Sequence, residues 1–356
     1  GLSCSARTAA QLSSRSCCRL PPPAPSMDPD AEVDFDFSPF LIRYKSGRVR
    51  RLMGTSRVDA GADADSGVTS RDVAIDAAGA GAGLAARLYI PSDVLLGTPE
   101  KKLPVLVYFH GGAFAVHSAF SGAHSRFLNA LVAAARVVAV SVDYRLAPEH
   151  PLPAAYDDAW AALGWAVASC GAGPSSSGSR PDTADPWLAG HGDAARLFVA
   201  GDSAGANIAH NVTLRAGGGS GLQGGARIEG MVLLHPYFRG GELLPSEGTD
   251  PTFRKRVERA WGFVSGGRYG IDHPFLNPLA LPSEEWAKLG CRRALVTVAE
   301  LDTMRDRGRR YVDALRGSAW AEAEAVLYET QGEGHVYFID KAGGDGEKAK
   351  MEMAAV

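Results

Sequence analysis

The chain has 356 residues, of which 46% are hydrophobic and 22% are charged, and its formal net charge is −3. This composition is sufficient for one large hydrophobic core, and it lacks the strongly basic character that nucleic acids and anionic membranes attract. The longest apolar runs, such as 105–109 and 137–142, have the length of strands and are much too short to span a bilayer. We therefore expect no nucleic-acid partner and no membrane partner.

Residues 1–26 differ in composition from the rest of the chain, because they contain three arginines, six serines and no acidic residue. Such a segment is typical of an organelle transit peptide, or of sequence that precedes a true start at Met27. We expect the second, with organelle targeting as the alternative. The prediction is a disordered extension over 1–26 and a single domain over 27–356, whose final helix is cut short.

The five cysteines show neither a disulfide framework nor the spacing of a zinc site. Three of them lie within the first twenty residues. Cys170 and Cys291 lie in the body of the chain, where we expect them to pack as small apolar side chains. This distribution favours a reducing compartment. We expect a cytoplasmic protein, with the nucleus as an additional location.

Taken in chain order, the predicted elements alternate between strands and helices after an aromatic arm over about 27–55. Eight apolar runs predict strands, at 73–75, 85–90, 105–109, 137–142, 197–200, 231–234, 294–298 and 325–328. Four helical patterns lie between them, at 123–135, 154–168, 204–215 and 305–316. This alternation predicts an α/β protein whose mostly parallel, doubly wound sheet has helices on both faces.

The segment 237–286 interrupts the alternation and is rich in proline, glycine and aromatic residues. Its composition suits an inserted element rather than a further strand–helix unit. We expect this segment and the arm over 27–55 to form a small cap that borders an apolar pocket.

One short motif indicates chemistry directly. The apolar run 196–200 is followed by Gly201-Asp202-Ser203-Ala204-Gly205, which has the G-x-S-x-G pattern of a nucleophile elbow. A sharp turn between a strand and a helix exposes the central serine at the edge of the sheet. Because a free hydroxyl is a poor nucleophile at neutral pH, Ser203 requires a base and an oxyanion site nearby.

A glycine turn at the end of the run 105–109 provides a candidate oxyanion site. It reads His110-Gly111-Gly112-Ala113-Phe114, and it lies about ninety residues before the elbow. We expect the backbone N–H groups of Gly112 and Ala113, together with that of Ala204, to bind an oxyanion. Gly111 shapes the turn. Alanine at position 113 serves as well as glycine, because the donor is the main chain.

The base is expected after the serine, because α/β-hydrolases place the triad in the order serine, acid, histidine. His335 fits this order best, since it follows the strand-like run 325–328 in a polar, glycine-flanked loop. Three other histidines fit less well, and we expect His235, which closes a strand, to be structural. The other two are His150 and His210.

The acid is expected between the serine and the histidine. Asp302 follows the run 294–298 and is our candidate for orienting the imidazole of His335. Glu300 is the alternative. We expect Asp306 to lie on the following helix as a solvated charge.

With these residues placed, the chain from about Met27 onward resembles the plant carboxylesterases of the hormone-sensitive-lipase-like branch of the α/β-hydrolases. Besides the elbow and the glycine turn, the resemblance includes several longer motifs. These are Asp143-Tyr144-Arg145-Leu146-Ala147-Pro148-Glu149-His150-Pro151, Ala155-Tyr156-Asp157-Asp158, His235-Pro236-Tyr237, Asn277-Pro278-Leu279 and Gly334-His335-Val336. The resemblance implies an eight-stranded α/β-hydrolase fold, a cap built partly from the N-terminal arm, and a triad of Ser203, His335 and Asp302.

The expected function is that of a serine carboxylester hydrolase that needs no cofactor or metal and forms an acyl-enzyme on Ser203. The expected substrates are short acyl esters of small metabolites or xenobiotics, and the family suggests a monomer or weak homodimer. Two alternatives remain. Gibberellin receptors are similar but lack the histidine that matches His335, and related hydroxyisoflavanone dehydratases, some with threonine in place of the serine, or acyltransferases use the same scaffold.

Overall fold

The computed structural model describes residues 30–77, 81–97, 102–171, 184–219, 221–320, 324–340 and 346–356. The predicted extension over 1–26 lies outside these residues. The described strands are β1 (Val33–Phe37), β2 (Leu41–Tyr44), β3 (Val49–Arg51), β4 (Ala62–Asp63), β5 (Val68–Ala74), β6 (Ala85–Pro91), β7 (Leu103–Phe109), β8 (Val138–Asp143), β9 (Gly192–Asp202), β10 (Ile228–Leu234), β11 (Arg293–Ala299) and β12 (Glu324–Thr330).

The α-helices in the same part of the chain include the four that the sequence predicts. They are α1 (Ser92–Leu96), α2 (Gly122–Ala135), α3 (Ala154–Gly171), α4 (Pro186–His191), α5 (Ala204–Gly217), α6 (Pro251–Ser265), α7 (Ser283–Trp286), α8 (Arg305–Gly317), α9 (Tyr337–Asp340) and α10 (Glu347–Ala355). None of the helices within the described ranges is both long enough and apolar enough to cross a membrane.

The large sheet has the strand order β12-β11-β10-β9-β7-β8-β6-β5-β4. The six strands from β12 to β8 are parallel, and β6, β5 and β4 continue the sheet with antiparallel pairing. The prediction of eight strands is therefore short by one. The ninth strand, β4, pairs only Ala62 and Asp63 with β5, and two residues are too few to show a hydrophobic period.

The central strands are apolar along their whole length because both faces of the sheet are covered. In β7, Val105, Val107 and Phe109 belong to the core on one face, where α3, α5 and α8 pack. Leu106 and Tyr108 belong to the core on the other face, with α2, α9 and α10. Side chains that alternate between two buried layers explain why the sequence shows continuous runs instead of a polar–apolar alternation.

A second, small sheet of β1, β2 and β3 is separate from the large one and is antiparallel. It contains the arm that the sequence predicts as part of a cap. Phe35 of β1 stacks on Phe263 of α6, with ring centroids 4.2 Å apart and an interplanar angle of 7°. Arg51 of β3 donates to both carboxylate oxygens of Glu149 and to the carbonyl of Ala115. The arm is thus attached to α6 and to the loop that follows β7.

The sequence order of the strands reverses at β7, since β8 lies on one side of it and β9 on the other. In open α/β sheets, ligands bind outside the carboxyl ends of the strands at such a point. The glycine turn follows β7 directly, and Ser203 of the elbow follows β9 directly. The topology therefore places both motifs at the same crevice.

Candidate active site

Ser203 lies in the turn between β9 and α5 with a strained backbone, φ +53° and ψ −115°. Its own N–H donates to the carbonyl of Leu234, 2.9 Å away, which ties the turn to the neighbouring strand. A Cβ at Gly205 would lie 1.8 Å from the carbonyl oxygen of Phe109. One at Gly201 would lie 2.3 Å from the backbone of Gly205. The two glycines are therefore required by close backbone approach, which leaves the serine projecting from the turn.

The structure brings the three predicted triad residues together. His335 Nε2 lies 2.8 Å from Ser203 Oγ, and His335 Nδ1 lies 2.6 Å from Asp302 Oδ2. Ser203 and Asp302 are buried, whereas the side chain of His335 is 31% exposed. The hydroxyl, the imidazole and the carboxylate thus form one hydrogen-bonded chain that opens toward solvent at the histidine.

The two other acidic candidates have different partners. Glu300 accepts a hydrogen bond from the N–H of Gly332, at 2.7 Å. Asp306 is the second residue of α8 and accepts from the N–H of Ser246, at 2.9 Å. It is not the solvated charge that the sequence indicates, because Arg305 and Arg309 also pair with it. Only Asp302 lies against the imidazole.

The pKa of Asp302 is lowered, even though burial by itself would raise it. The charge and hydrogen bond of His335 lower it, and the N–H of Met304 donates to the same carboxylate at 2.9 Å. An ionised carboxylate at Asp302 holds the proton of the imidazole on Nδ1. This leaves Nε2 of His335 free to accept the hydroxyl proton of Ser203.

The turn after β7 has the geometry of an anion-binding loop. Gly112, Ala113 and Phe114 have φ values of +110°, +52° and +61°, and a Cβ at Gly112 would lie 2.3 Å from the carbonyl oxygen of Val116. Within the described ranges, the N–H groups of Gly112, Ala113 and Ala204 donate to no acceptor of the chain. The arrangement leaves three main-chain donors available close to the serine.

Gly111 has a different role, because its N–H donates to Asp202 Oδ1, 2.9 Å away. The same carboxylate oxygen accepts from the hydroxyl of Tyr108 at 2.6 Å and lies 3.2 Å from His124 Nε2. Asp202 directly precedes Ser203, so this carboxylate joins the elbow to the glycine turn. The residue is the variable second position of the G-x-S-x-G pattern, and the pattern alone does not single it out.

Burial raises the pKa of Asp202, but the charge of His124 and the hydrogen bonds from His124 and Tyr108 outweigh it and hold the pKa well below the usual range. The neighbouring His110 is buried, and the loss of hydration lowers its pKa to about 3. Its Nδ1 lies 2.7 Å from the carbonyl of Gly111 and its ring stacks on Tyr144. The support beneath the turn is therefore an ionised carboxylate beside a neutral histidine.

His235 lies behind the hydrogen-bonded chain of Ser203, His335 and Asp302 and contacts the loop that carries His335. Its Nδ1 accepts the N–H of Val336 at 2.9 Å, and its Nε2 lies 3.2 Å from Glu352 Oε1 on α10. Together with Asp302 and His335 it forms the one group of three potential metal-ligating residues in the described ranges. All three already have partners within the chain, so these contacts suit a proton-transfer site better than a metal centre.

A cavity of about 470 Å³ opens above Ser203. Gly112, Ala113 and His335 line its floor. The predicted cap segments line its other walls, the arm with Phe37, Phe40 and Met53 and the inserted segment with Phe253, Val257 and Ala260. A mostly apolar chamber of this size above a nucleophile is suited to a small organic molecule.

Comparison with known proteins identifies the family. Residues 106–339 match the family model described as alpha/beta hydrolase fold. Probable carboxylesterase 13 of Arabidopsis thaliana is 40% identical over 317 residues, which cover 87% of this chain and 93% of that protein. The chain belongs to the α/β-hydrolase family. Within it, this hydrolase groups with the plant carboxylesterases, and the resemblance and fold class that the sequence predicts are confirmed.

Other similar proteins share the scaffold. Tuliposide A-converting enzyme 1, chloroplastic, of Tulipa gesneriana is 42% identical over 334 residues, 92% of this chain and 80% of that protein. The 2-hydroxyisoflavanone dehydratase of Glycyrrhiza echinata is 42% identical over 310 residues, 86% of this chain and 90% of that protein. The crystal structure of a thermostable esterase from Pseudomonas putida has 26% identity and a TM-score of 0.64, and the match covers 81% of both chains.

These relatives support an esterase-type enzyme that acts on small molecules. They also bear on the expected location. The tulip protein is named as chloroplastic, and a related tulip enzyme as amyloplastic, so the expectation of a cytoplasmic protein finds no support. The cysteine pattern behind that expectation does not distinguish the cytoplasm from other reducing compartments.

Proposed function

We propose that this α/β-hydrolase is a serine carboxylesterase that cleaves short acyl esters of small metabolites or xenobiotics through an acyl-enzyme on Ser203. The observation that carries the proposal is the hydrogen-bonded chain from Ser203 Oγ through the imidazole of His335 to Asp302, with distances of 2.8 and 2.6 Å. Three unoccupied main-chain donors near the serine add the oxyanion site that the chemistry needs.

In the proposed first step, His335 Nε2 takes the proton from Ser203 Oγ as the oxygen attacks the ester carbonyl. Negative charge develops on the carbonyl oxygen, where the N–H groups of Gly112, Ala113 and Ala204 stabilise it. His335 then donates its proton to the leaving alcohol, and the acyl group remains on Ser203. In the second step water attacks the acyl-enzyme, with His335 as the base, and releases the acid.

The carboxylate of Asp302 contributes by remaining ionised throughout. It stabilises the imidazolium that forms when His335 takes the proton, and it keeps the ring in the orientation that both proton transfers need. The lowered pKa of Asp302 supports this role, because a protonated acid could not stabilise the cation. The cavity of about 470 Å³ limits the substrate to a small molecule.

The test is turnover of 4-nitrophenyl butyrate by the chain, alongside Ser203→Ala and His335→Ala. We expect kcat to fall by about 10⁴- to 10⁶-fold in each variant, because members of a triad act as a unit. His150→Ala is the matched control, since this histidine is exposed and we expect full activity. A butyryl group on Ser203, detected by mass spectrometry after a short reaction, would establish the acyl-enzyme.

A dehydratase is the second candidate, because the licorice relative with that name covers 86% of this chain at 42% identity. Hydrolysis and elimination differ in the source of oxygen. In water enriched in oxygen-18, ester hydrolysis labels the released acid, whereas elimination incorporates no solvent oxygen. A folded wild-type chain that neither hydrolyses the butyrate ester nor forms an acyl-enzyme would contradict the esterase proposal and favour the dehydratase or a ligand-binding role.

We propose that the protein is located in a plastid and that residues 1–26 act as a transit peptide, which is the alternative interpretation of this segment. Their content of arginine and serine without acidic residues supports it, as do the plastid names of the tulip relatives. Fluorescent fusions of the whole chain and of residues 27–356 in leaf cells test the proposal. We expect plastid fluorescence from the first alone, and diffuse fluorescence from both would contradict it.

A further inference from the structure

One wall of the cavity carries positive charge that catalysis does not use. Four residues of α6 line the cavity at a helical spacing of three, four and seven, namely Phe253, Arg256, Val257 and Ala260. Three of them are apolar, as expected for a helix face that packs over an apolar chamber. The fourth is an arginine.

Arg256 forms no ion pair with a carboxylate in the described part of the chain. The nearby Asp250 is exposed and forms no ion pair with it, because its carboxylate accepts hydrogen bonds from Thr252; these bonds lower the pKa of Asp250 more than the charge of Arg256 does. The guanidinium carbon of Arg256 lies 6.0 Å from the ring centroid of Phe253. Its charge therefore remains available at the edge of the cavity.

A second guanidinium approaches the same ring. Arg239 also lines the cavity, is only 6% exposed, and has its guanidinium carbon 5.1 Å from the centroid of Phe253. It donates to Glu247 at 3.0 Å and to Thr303 at 2.9 Å, but its Nε is a buried donor without a partner within the described residues. Two cations that border the chamber therefore approach the ring of Phe253.

The buried charges behind this wall do not cancel. Glu247 is the shared partner of Arg239 and of Arg307, whose Nη2 lies 2.9 Å from it, and all three side chains are buried. Two guanidinium groups and one carboxylate leave a net positive charge. The cavity's own acids are committed elsewhere, Asp302 to His335 and Asp202 to the glycine turn.

The buried charge of Arg239 is poorly screened and attracts an anion strongly, whereas the exposed Arg256 adds an attraction that solvent screens. Guanidinium groups are also well matched to carboxylates, which they bind through paired N–H donors. The charge at this wall is therefore best explained as part of substrate recognition.

We infer that the natural substrate is an ester that carries an anionic group, of carboxylate type, away from the ester bond that is cleaved, and that Arg256 and Arg239 bind this group. The inference rests on the proposed esterase function and names its substrate class. The anionic group belongs to the acyl part or to the alcohol part, and the test includes both.

The test compares matched pairs of esters. For the acyl part, monoethyl adipate and monoethyl suberate are each compared with the ethyl ester in which a methyl group replaces the distal carboxyl group. For the alcohol part, 6-(butanoyloxy)hexanoate is compared with hexyl butanoate. We expect Arg256→Gln to lower the ratio of kcat/KM for the anionic over the neutral ester by about 3- to 10-fold in at least one pair, and Arg256→Glu to lower it further.

Arg254→Gln is the matched control, because Arg254 belongs to the same helix, pairs with Glu258 at 2.9 Å and is not among the cavity residues. We expect its ratios to equal those of the wild type. Unchanged ratios in all pairs for both Arg256 variants would overturn the inference. If none of the anionic and none of the neutral esters is hydrolysed, the esterase proposal fails by itself. Calorimetric binding of monoethyl adipate then decides the inference, since Arg256→Glu should weaken it and equal binding would overturn it.

Discussion

The catalytic edge of the sheet, which is formed by the carboxyl ends of β7 and β9, and the cap above it are built by different kinds of contact. At the edge, backbone approaches backbone, so that Gly201 and Gly205 have no room for a Cβ. In the cap, side chain meets side chain, as in the stack of Phe35 on Phe263 and the ion pair of Arg51 with Glu149. Backbone contacts permit almost no substitution, whereas side-chain contacts can change while the architecture remains.

The two regions therefore have separate roles, with the chemistry at the edge of the sheet and the substrate specificity in the cap. The proposed nucleophile, base and oxyanion donors depend on the rigid edge, where a small displacement would weaken every step. Part of the cavity wall belongs to the arm over 27–55 and to α6, which are attached at the periphery of the sheet. Relatives that differ in reaction and substrate while sharing the fold, an esterase and a dehydratase among them, are consistent with this division.

The largest effect is expected from a single methyl group at the catalytic edge. Gly205→Ala would place a Cβ 1.8 Å from the carbonyl oxygen of Phe109, and the backbone on both sides is held in the core. We expect the variant to be insoluble or to lack both a cooperative thermal transition and esterase activity. Gly164→Ala in α3 is the control, because a Cβ there meets nothing within 4 Å. It should be more stable by about 0.5–1 kcal/mol. A well-folded Gly205→Ala would contradict the account of the rigid edge.

The next effect isolates the electrostatic part of the triad. In Asp302→Asn a neutral amide replaces the carboxylate. The amide neither keeps the imidazole proton of His335 on Nδ1 nor stabilises the imidazolium. We expect kcat for 4-nitrophenyl butyrate to fall by about 10⁴-fold with little change in KM. Glu300→Gln is the control, since Glu300 accepts from Gly332 instead. A similar loss in both variants would show that the acid is not assigned by the hydrogen bond seen here.

The carboxylate of Asp202, which joins the elbow to the glycine turn, should contribute to the free energy of unfolding and not only to the rate of catalysis. The pKa of Asp202 is lower in the folded chain than its usual value of 3.8. The contribution of the Asp202 carboxylate to the free energy of unfolding is therefore fully present above pH 3.8 and is lost as the pH falls toward the pKa of the folded state. At pH 7, Asp202→Asn should cost about 3 kcal/mol in urea unfolding, and below about pH 4 its stability should decline less steeply than that of the wild type.

The control for this measurement is Asp313→Asn, an exposed position on α8. It should follow the wild-type stability at every pH within about 0.5 kcal/mol. If Asp202→Asn lost stability in acid as steeply as the wild type, the carboxylate could not be ionised in the way the contacts with Tyr108 and His124 require.

The smallest effect is expected in the cap. Phe35→Ala removes the ring that stacks on Phe263 and leaves the core of the sheet intact. A loss of about 1 kcal/mol from the stack should loosen the arm. We expect KM to rise about 3- to 5-fold with kcat nearly unchanged, and faster cleavage of the arm by protease. Val33→Ala on the same strand is the control, because Val33 is 50% exposed. A fall in kcat equal to the rise in KM would contradict the separation of cap and catalytic edge.

The catalytic edge and the cap were not equally predictable from the sequence. The central strands could be predicted because burial on both faces makes them continuously apolar. Each of the eight predicted runs lies within one of the strands β5 to β12 or extends at most one residue beyond it, whereas the short β4 was not predicted. The elbow was visible because its glycines are required by local geometry. The strands β1–β3 were not predicted as a sheet, since they are short, half exposed and carry charges between their aromatic residues.

By itself, the sequence determined the alternation of strands and helices, the elbow and the glycine turn. These are local features, because each depends on residues that are neighbours along the chain. The sequence favoured Asp302 over Glu300, and tertiary structure shows that Asp302 meets His335. Tertiary structure alone decided that Asp202 joins the elbow to the turn and that Arg239 and Arg256 approach one aromatic ring. Such contacts depend on how the sheet and cap assemble, and the one-dimensional pattern of hydrophobic and polar residues does not encode the direction of an individual side chain.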